Sequence, residues 1–231
     1  MIKEINNNNK IYYLYDSNNS DTLIVMLHGL TMSSELYPIS DLAEYLYSLN
    51  YDILRFDFIG HGKSYGKSLD MTLEIEINDA KAMIDSYKDK YKKLIFIGHS
   101  QGGVIASYLS GIYNPYKVIL LGPAFNLMDC FKNGDFFGKK IKDYQPVHIW
   151  DMRFSYDYLK DIRNEDYYNL KYHNKLTIIH GDKDRLCPLS YSIQFKEKYK
   201  NVHLEIIHGA DHEFYDFFDE LKKKVGAALN E

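Results

Sequence analysis

Cysteine is nearly absent from this sequence. Its two copies, Cys130 and Cys187, cannot build a disulfide framework, so the expected setting is a reducing, cytoplasmic one. A positive charge excess is absent too. The formal net charge is -4 and the isoelectric point is near 6.1, which leaves no electrostatic footprint for nucleic acid. No stretch approaches the roughly 20 consecutive apolar residues that span a bilayer. The opening residues Met1 to Asn9 lack the apolar region of a secretory signal. No internal repeat is visible. Neither nucleic acid nor a membrane is therefore an expected partner.

What is present fits one sizeable core. The chain has 231 residues, 45% of them hydrophobic, and one domain with an insertion is the expected organisation. The organising stretch is Leu94-Ile95-Phe96-Ile97-Gly98-His99-Ser100-Gln101-Gly102-Gly103-Val104-Ile105-Ala106. The apolar run Leu94 to Ile97 predicts a buried strand, and Val104, Ile105, Ala106 and Leu109 resume at helical spacing. Between them lies Gly98-x-Ser100-x-Gly102. On a strand-to-helix corner this pattern forces a sharp turn that holds the serine hydroxyl out at a helix start. Free amides and the positive end of the helix dipole there suit a developing oxyanion. Five such residues alone also fit an ordinary glycine-rich turn, so the rest of the chain must decide.

Lys3 to Ile5 and Lys10 to Tyr15 flank an asparagine run and predict an N-terminal hairpin. Thr22 to Leu27, Asp52 to Phe58, Lys117 to Leu121, Leu176 to Gly181 and Val202 to Ile207 read as strands. Leu36 to Leu49, Leu73 to Lys90, Tyr191 to Tyr199 and Glu213 to Leu229 read as helices. Strands that alternate with helices, and whose apolar runs are continuous, predict a mostly parallel sheet covered on both faces. The rhythm breaks between Gly122 and Lys175. This connection is rich in aromatic residues, among them Phe125, Phe131, Phe136, Trp150, Phe154 and Tyr156. Residues 124–174 are expected to be an insertion with a small core of its own that serves as a lid.

A serine hydroxyl at neutral pH needs a base, usually histidine, and that histidine an orienting acid. Two strand-end loops after Ser100 offer them. His180-Gly181-Asp182-Lys183-Asp184 supplies the acid: Asp184 lies clear of the strand, whereas Asp182 is placed to cap the turn. Asp184 is favoured and Asp182 stays a candidate. His208-Gly209-Ala210-Asp211-His212 supplies the base, with His212 in the loop, His208 at the strand end and His203 within the strand. The expected oxyanion donors are the backbone amides of Gln101, after the serine, and of Leu30, in the loop His28-Gly29-Leu30.

These pieces together resemble the α/β-hydrolase superfamily. The match rests on His28-Gly29, Asp57-x-x-Gly60-His61-Gly62-x-Ser64, Gly98-His99-Ser100-Gln101-Gly102-Gly103, Gly181-x-x-Asp184 with Pro188, and Gly209-Ala210-Asp211-His212. The set is similar to the serine aminopeptidase-like, lysophospholipase-like branch, and within it to the cinnamoyl (feruloyl) esterases. The resemblance implies Ser100 as nucleophile, His212 as base, Asp184 as acid, and Leu30 and Gln101 as oxyanion donors. It also implies that a lid acid and a lid tyrosine, here Asp129 and Tyr156, hold a phenolic hydroxyl. The expected activity is hydrolysis of small acyl or aryl esters, hydroxycinnamoyl esters included, with no cofactor. A monoacylglycerol lipase, lysophospholipase or aminopeptidase chemistry is the alternative, and a non-catalytic binding protein on the same fold a second. A small-molecule ester is the expected partner, and self-association into a homodimer is left open.

Two lookalikes weigh less. Gly60-His61-Gly62-Lys63-Ser64 mimics a phosphate-binding loop, but Asp57 stands where that pattern needs its first glycine. His180, Asp182, Asp184, His208 and Asp211 could suggest metal ligands, but they lack a ligand spacing, and the serine would claim two of their neighbourhood. No metal is expected.

Overall fold

The computed structural model describes residues 1–5 and 9–230. Strands β1 (Ile2–Glu4) and β2 (Lys10–Asp16) pair antiparallel, with Ile2 opposite Tyr12. The asparagine turn expected to join them, Asn6 to Asn8, lies outside the described residues.

The chain then alternates. β3 (Thr22–Leu27), α1 (Ile39–Ser48), β4 (Asp52–Phe56), α2 (Leu73–Asp85), β5 (Lys93–His99), α3 (Gln101–Tyr113) and β6 (Lys117–Leu121) lead to the insertion. The insertion holds α4 (Leu127–Lys132), the short hairpins β7 (Asp135–Phe136) with β8 (Lys139–Lys140) and β9 (Val147–Ile149) with β10 (Met152–Phe154), and α5 (Tyr156–Asp161). The sheet resumes with β11 (Leu176–Gly181), α6 (Leu189–Lys198), β12 (Val202–Ile207) and α7 (Phe218–Asn230). Eight strands run in the order β1-β2-β4-β3-β5-β6-β11-β12. Every pair from β4 to β12 is parallel, and β1 and β2 add an antiparallel edge. This is the mostly parallel, helix-covered sheet the sequence predicts.

The period-2 geometry of a strand explains the continuous apolar runs. Along β3, Leu23, Val25 and Leu27 enter one core layer while Ile24 and Met26 enter the other. The first layer is closed by α2 and α3 through Ile77, Ala80, Val104 and Leu109. The second is closed by α1 and α7 through Leu42, Leu46, Leu221 and Val225. Burial of each leucine, isoleucine or valine among these contributes about 1.5–3 kcal/mol before chain entropy is counted. Among the described residues no helix is long and apolar enough to cross a membrane.

Three expectations change. The insertion has no separate core: Phe136, Phe154 and Tyr158 are continuous with the layer beneath α2 and α3. The helix expected over Leu73 to Lys90 stops at Asp85, and Lys88–Lys90 forms a separate short turn. The last helix starts at Phe218, not Glu213. There the Asp211 carboxylate accepts the Glu213 and Phe214 amides at 3.2 and 3.0 Å, and Phe214 adopts φ 59°, ψ 24°. A left-handed residue cannot continue a right-handed helix.

Candidate active site

Ser100 stands between the end of β5 and the start of α3 with φ 55° and ψ -120°. A non-glycine residue in that region is strained and persists only where its surroundings fix it. Here the Ser100 amide donates to the Leu121 carbonyl at 2.9 Å, and the Ser100 carbonyl accepts from Gly103 at 2.9 Å and Ala124 at 3.0 Å. The flanking glycines are required by close approach. A Cβ on Gly98 would lie 2.2 Å from the Gly102 carbonyl oxygen, and one on Gly102 would lie 2.2 Å from that of Leu27.

Asp184 occupies the loop between β11 and α6, buried at 7% exposure. Its Oδ1 accepts the amides of Leu186 at 2.9 Å and Cys187 at 2.8 Å. Its Oδ2 lies 2.6 Å from His212 Nδ1 and 3.2 Å from His180 Nε2. Burial works to raise the Asp184 carboxyl, but hydrogen bonds from His180 and His212 outweigh it and hold the group well below the usual carboxylate range. An ionised carboxylate only accepts, so His212 carries its proton on Nδ1 and leaves Nε2 free. The His212 carbonyl in turn accepts His99 Nε2–H at 3.0 Å.

The neighbouring aspartate and histidines have other partners. Asp182 accepts the Gly209 amide at 2.8 Å and pairs with exposed His208 at 3.0 Å, so it caps a turn. His203 pairs with Glu205 on the same strand at 2.6 Å. His180 is wedged between Ser192 Oγ and the Cys187 carbonyl, each at 2.8 Å.

Ser100 and His212 face one cavity of about 200 Å³, walled by Leu30, Met32, Leu186 and Cys187 and by Phe137 and Trp150 of the insertion. Ser100 Oγ makes no hydrogen bond to His212; its polar neighbour is Cys187 Sγ at 4.0 Å. The Leu30 amide has no acceptor among the described residues, and the Gln101 amide opens α3, where no carbonyl precedes it in the helix. Asp129 and Tyr156 do not join this cavity wall. Asp129 accepts from Tyr191 at 2.9 Å, and Tyr156 donates to Asp143 at 3.0 Å.

Several supporting residues escaped the sequence reading. Gly122, after β6, has φ +48°, and a Cβ there would lie 3.2 Å from Asp184 Oδ2 and 3.3 Å from His212 Nδ1. The Gln101 side chain donates to Glu76 Oε2 at 2.5 Å and accepts from Tyr158 at 2.5 Å. Burial, with the nearby Asp79 and Asp161 charges, raises the Glu76 carboxyl well above the usual carboxylate range. The phosphate-loop lookalike is a pinned turn. Asp57 accepts both the amide and the hydroxyl of Ser34 at 2.7 Å and the Lys63 amide at 2.9 Å. His61 Nε2 accepts the Thr31 amide at 3.1 Å, which fixes the loop that carries Leu30. The motif Asp57-x-x-Gly60-His61-Gly62-x-Ser64 was the available signal for these contacts.

The fold is shared with proteins of known structure. The chain superposes on the structure of ferulic acid bound to Est1E from Butyrivibrio proteoclasticus with a TM-score of 0.91 and 26% identity, over 100% of both chains. A Pyrococcus furiosus esterase superposes at 0.73 with 26% identity, over 100% of this chain and 91% of the other. The human mitochondrial palmitoyl-protein thioesterase ABHD10 is 25% identical over 184 residues, 71% of this chain; the chain spans 57% of the length of that curated relative. Residues 18–141, more than half of the sequence, match the profile of the family described as serine aminopeptidase, S33, and the chain belongs to that family of α/β-hydrolases.

Proposed function

We propose that this chain is a serine carboxylesterase that cleaves small acyl or aryl esters through an acyl-enzyme. The observation that carries the reading is one cavity faced both by strained Ser100 and by His212, whose Nδ1 meets the Asp184 carboxylate at 2.6 Å. Ser100 Oγ attacks the ester carbonyl as His212 Nε2 takes its proton. Asp184 holds the tautomer and stabilises the imidazolium. The Leu30 and Gln101 amides receive the oxyanion. His212 then gives its proton to the leaving alcohol, and water repeats the cycle. The step needs a Ser100–His212 hydrogen bond, a contact that commonly tightens only with substrate bound.

The cavity volume of about 200 Å³ lies below the 300–1,000 Å³ typical of drug-sized ligands. Its apolar wall of Leu30, Met32, Phe137 and Trp150 fits a short acyl chain or one aromatic ring. The Est1E complex with ferulic acid supports the aryl case, and the thioesterase relative supports a second reading in which the same acyl-enzyme forms from a thioester. Within this proposal residues 1–231 are one domain, residues 124–174 are its lid, and both free cysteines suit a reducing, cytoplasmic setting. A panel of feruloyl, short-acyl, aminoacyl and thioester substrates tests it, with Ser100→Ala as blank. Highest turnover on short-acyl or feruloyl esters supports the proposal; turnover of aminoacyl substrates alone, or none at all, contradicts it.

A further inference from the structure

His99 and Glu213 face the same cavity as Ser100 and have no task in acyl transfer. His99 is buried at 1% exposure. Its Nε2 donates to the His212 carbonyl, so Nδ1 keeps a lone pair, and no described group bonds to that atom. Glu213 Oε2 is likewise shielded from solvent without a partner. Buried polar atoms left unpaired are rare in native proteins, and each calls for an explanation. Here two occur on residues that line one cavity with His212. One ligand atom from each of His99, His212 and Glu213 lies within 4.8 Å of the others.

Two imidazole nitrogens and a carboxylate are a zinc ligand set, and three protein ligands leave a fourth position open. Bonds of 2.0–2.2 Å in a tetrahedral shell place donors roughly 3.3 Å apart, so a bound ion would draw the three together. A second set shares His212: Asp184, Cys187 and His212 also offer atoms within 4.8 Å of one another. That set is less available. Asp184 already accepts from two amides and two imidazoles, and burial pushes the Cys187 thiol up, away from the thiolate a metal needs.

We propose that His99, His212 and Glu213 form an inhibitory site for a zinc-like divalent cation, which sits in front of Ser100 and occupies the lone pair that His212 would use as a base. The inhibition rests on the esterase reading; the binding does not.

The test is titration of the intact, untagged chain with Zn²⁺ by calorimetry and with Co²⁺ by visible absorption, alongside inhibition of ester hydrolysis. The expected result is one ion per chain, a tetrahedral cobalt spectrum, and zinc inhibition with the same dissociation constant. Glu213→Gln weakens both by tenfold or more, and Cys187→Ser leaves the affinity in place. Absence of one-to-one binding, equal affinity in Glu213→Gln, or loss of binding in Cys187→Ser overturns the site. A chain that binds zinc this way but cleaves no ester keeps the site and loses the activity reading. One that cleaves esters and binds no zinc loses the site alone.

Discussion

The Tyr158 hydroxyl, on α5 of the insertion, donates to the Gln101 side chain at 2.5 Å, and Gln101 is the residue after the elbow serine. Both side chains are buried. The insertion is thereby joined to the start of α3, and Glu76 completes the line from below by accepting from the Gln101 amide group at 2.5 Å.

Removing that hydroxyl leaves the Gln101 carbonyl oxygen buried and unpaired. Tyr158→Phe is expected to lower unfolding free energy by about 1–3 kcal/mol, read as a shift in urea midpoint at unchanged slope. A midpoint equal to wild type would show that the bond contributes nothing.

Gly122→Ala tests the packing behind the proposed acid and base. An added methyl meets Asp184 Oδ2 at 3.2 Å and His212 Nδ1 at 3.3 Å, on a backbone with φ +48°. The pair must give by a few tenths of an ångström, and since a 1 Å misplacement costs on the order of 10²-fold in rate, a loss of up to about tenfold is expected. The expected signature is a fall in kcat with KM little changed; an unaltered kcat contradicts the placement.

The two loop aspartates separate cleanly. Asp184→Asn is expected to lose roughly 10⁴-fold in kcat, because the His212 tautomer is no longer held. Asp182→Asn, in the turn with His208 and Gly209, keeps a rate near wild type. Equal losses in a p-nitrophenyl ester assay would reverse the assignment.

His61 gives a pH prediction. Burial, reinforced by neighbouring His28, lowers its pKa from 6.5 to about 3. The unfolded chain therefore binds a proton between pH 6.5 and about 3 that the folded chain refuses. Its contribution to stability is present above pH 6.5 and is lost as pH falls toward 3, by up to about 1.4 kcal/mol per pH unit. His61→Gln lacks this loss. The stability difference between wild type and variant, from urea melts at pH 7, 6 and 5, is expected to shrink or change sign on acidification; a constant difference contradicts it.

The sheet was legible because a strand covered on both faces leaves an unbroken apolar run, as in Thr22 to Leu27 and Leu176 to Gly181. The elbow was legible because Gly98 and Gly102 tolerate no Cβ. Asp184 and His212 could be picked out because each follows a strand end in chain order. The rest depends on contacts between distant residues. No local pattern tells that Gly122 backs the Asp184–His212 pair, that Tyr158 reaches Gln101, or that Asp129 and Tyr156 take Tyr191 and Asp143 as partners. The start of the last helix was misplaced for a local reason, the Asp211 turn at Glu213 and Phe214.

Labelling with a fluorophosphonate, followed by intact-mass and peptide analysis, asks most directly whether a histidine activates the elbow hydroxyl. One adduct per wild-type chain, located on Ser100, absent in Ser100→Ala and strongly slowed in His212→Ala, is the predicted result. An unlabelled wild type, or a Ser100→Ala chain labelled as fast as wild type, would contradict the account.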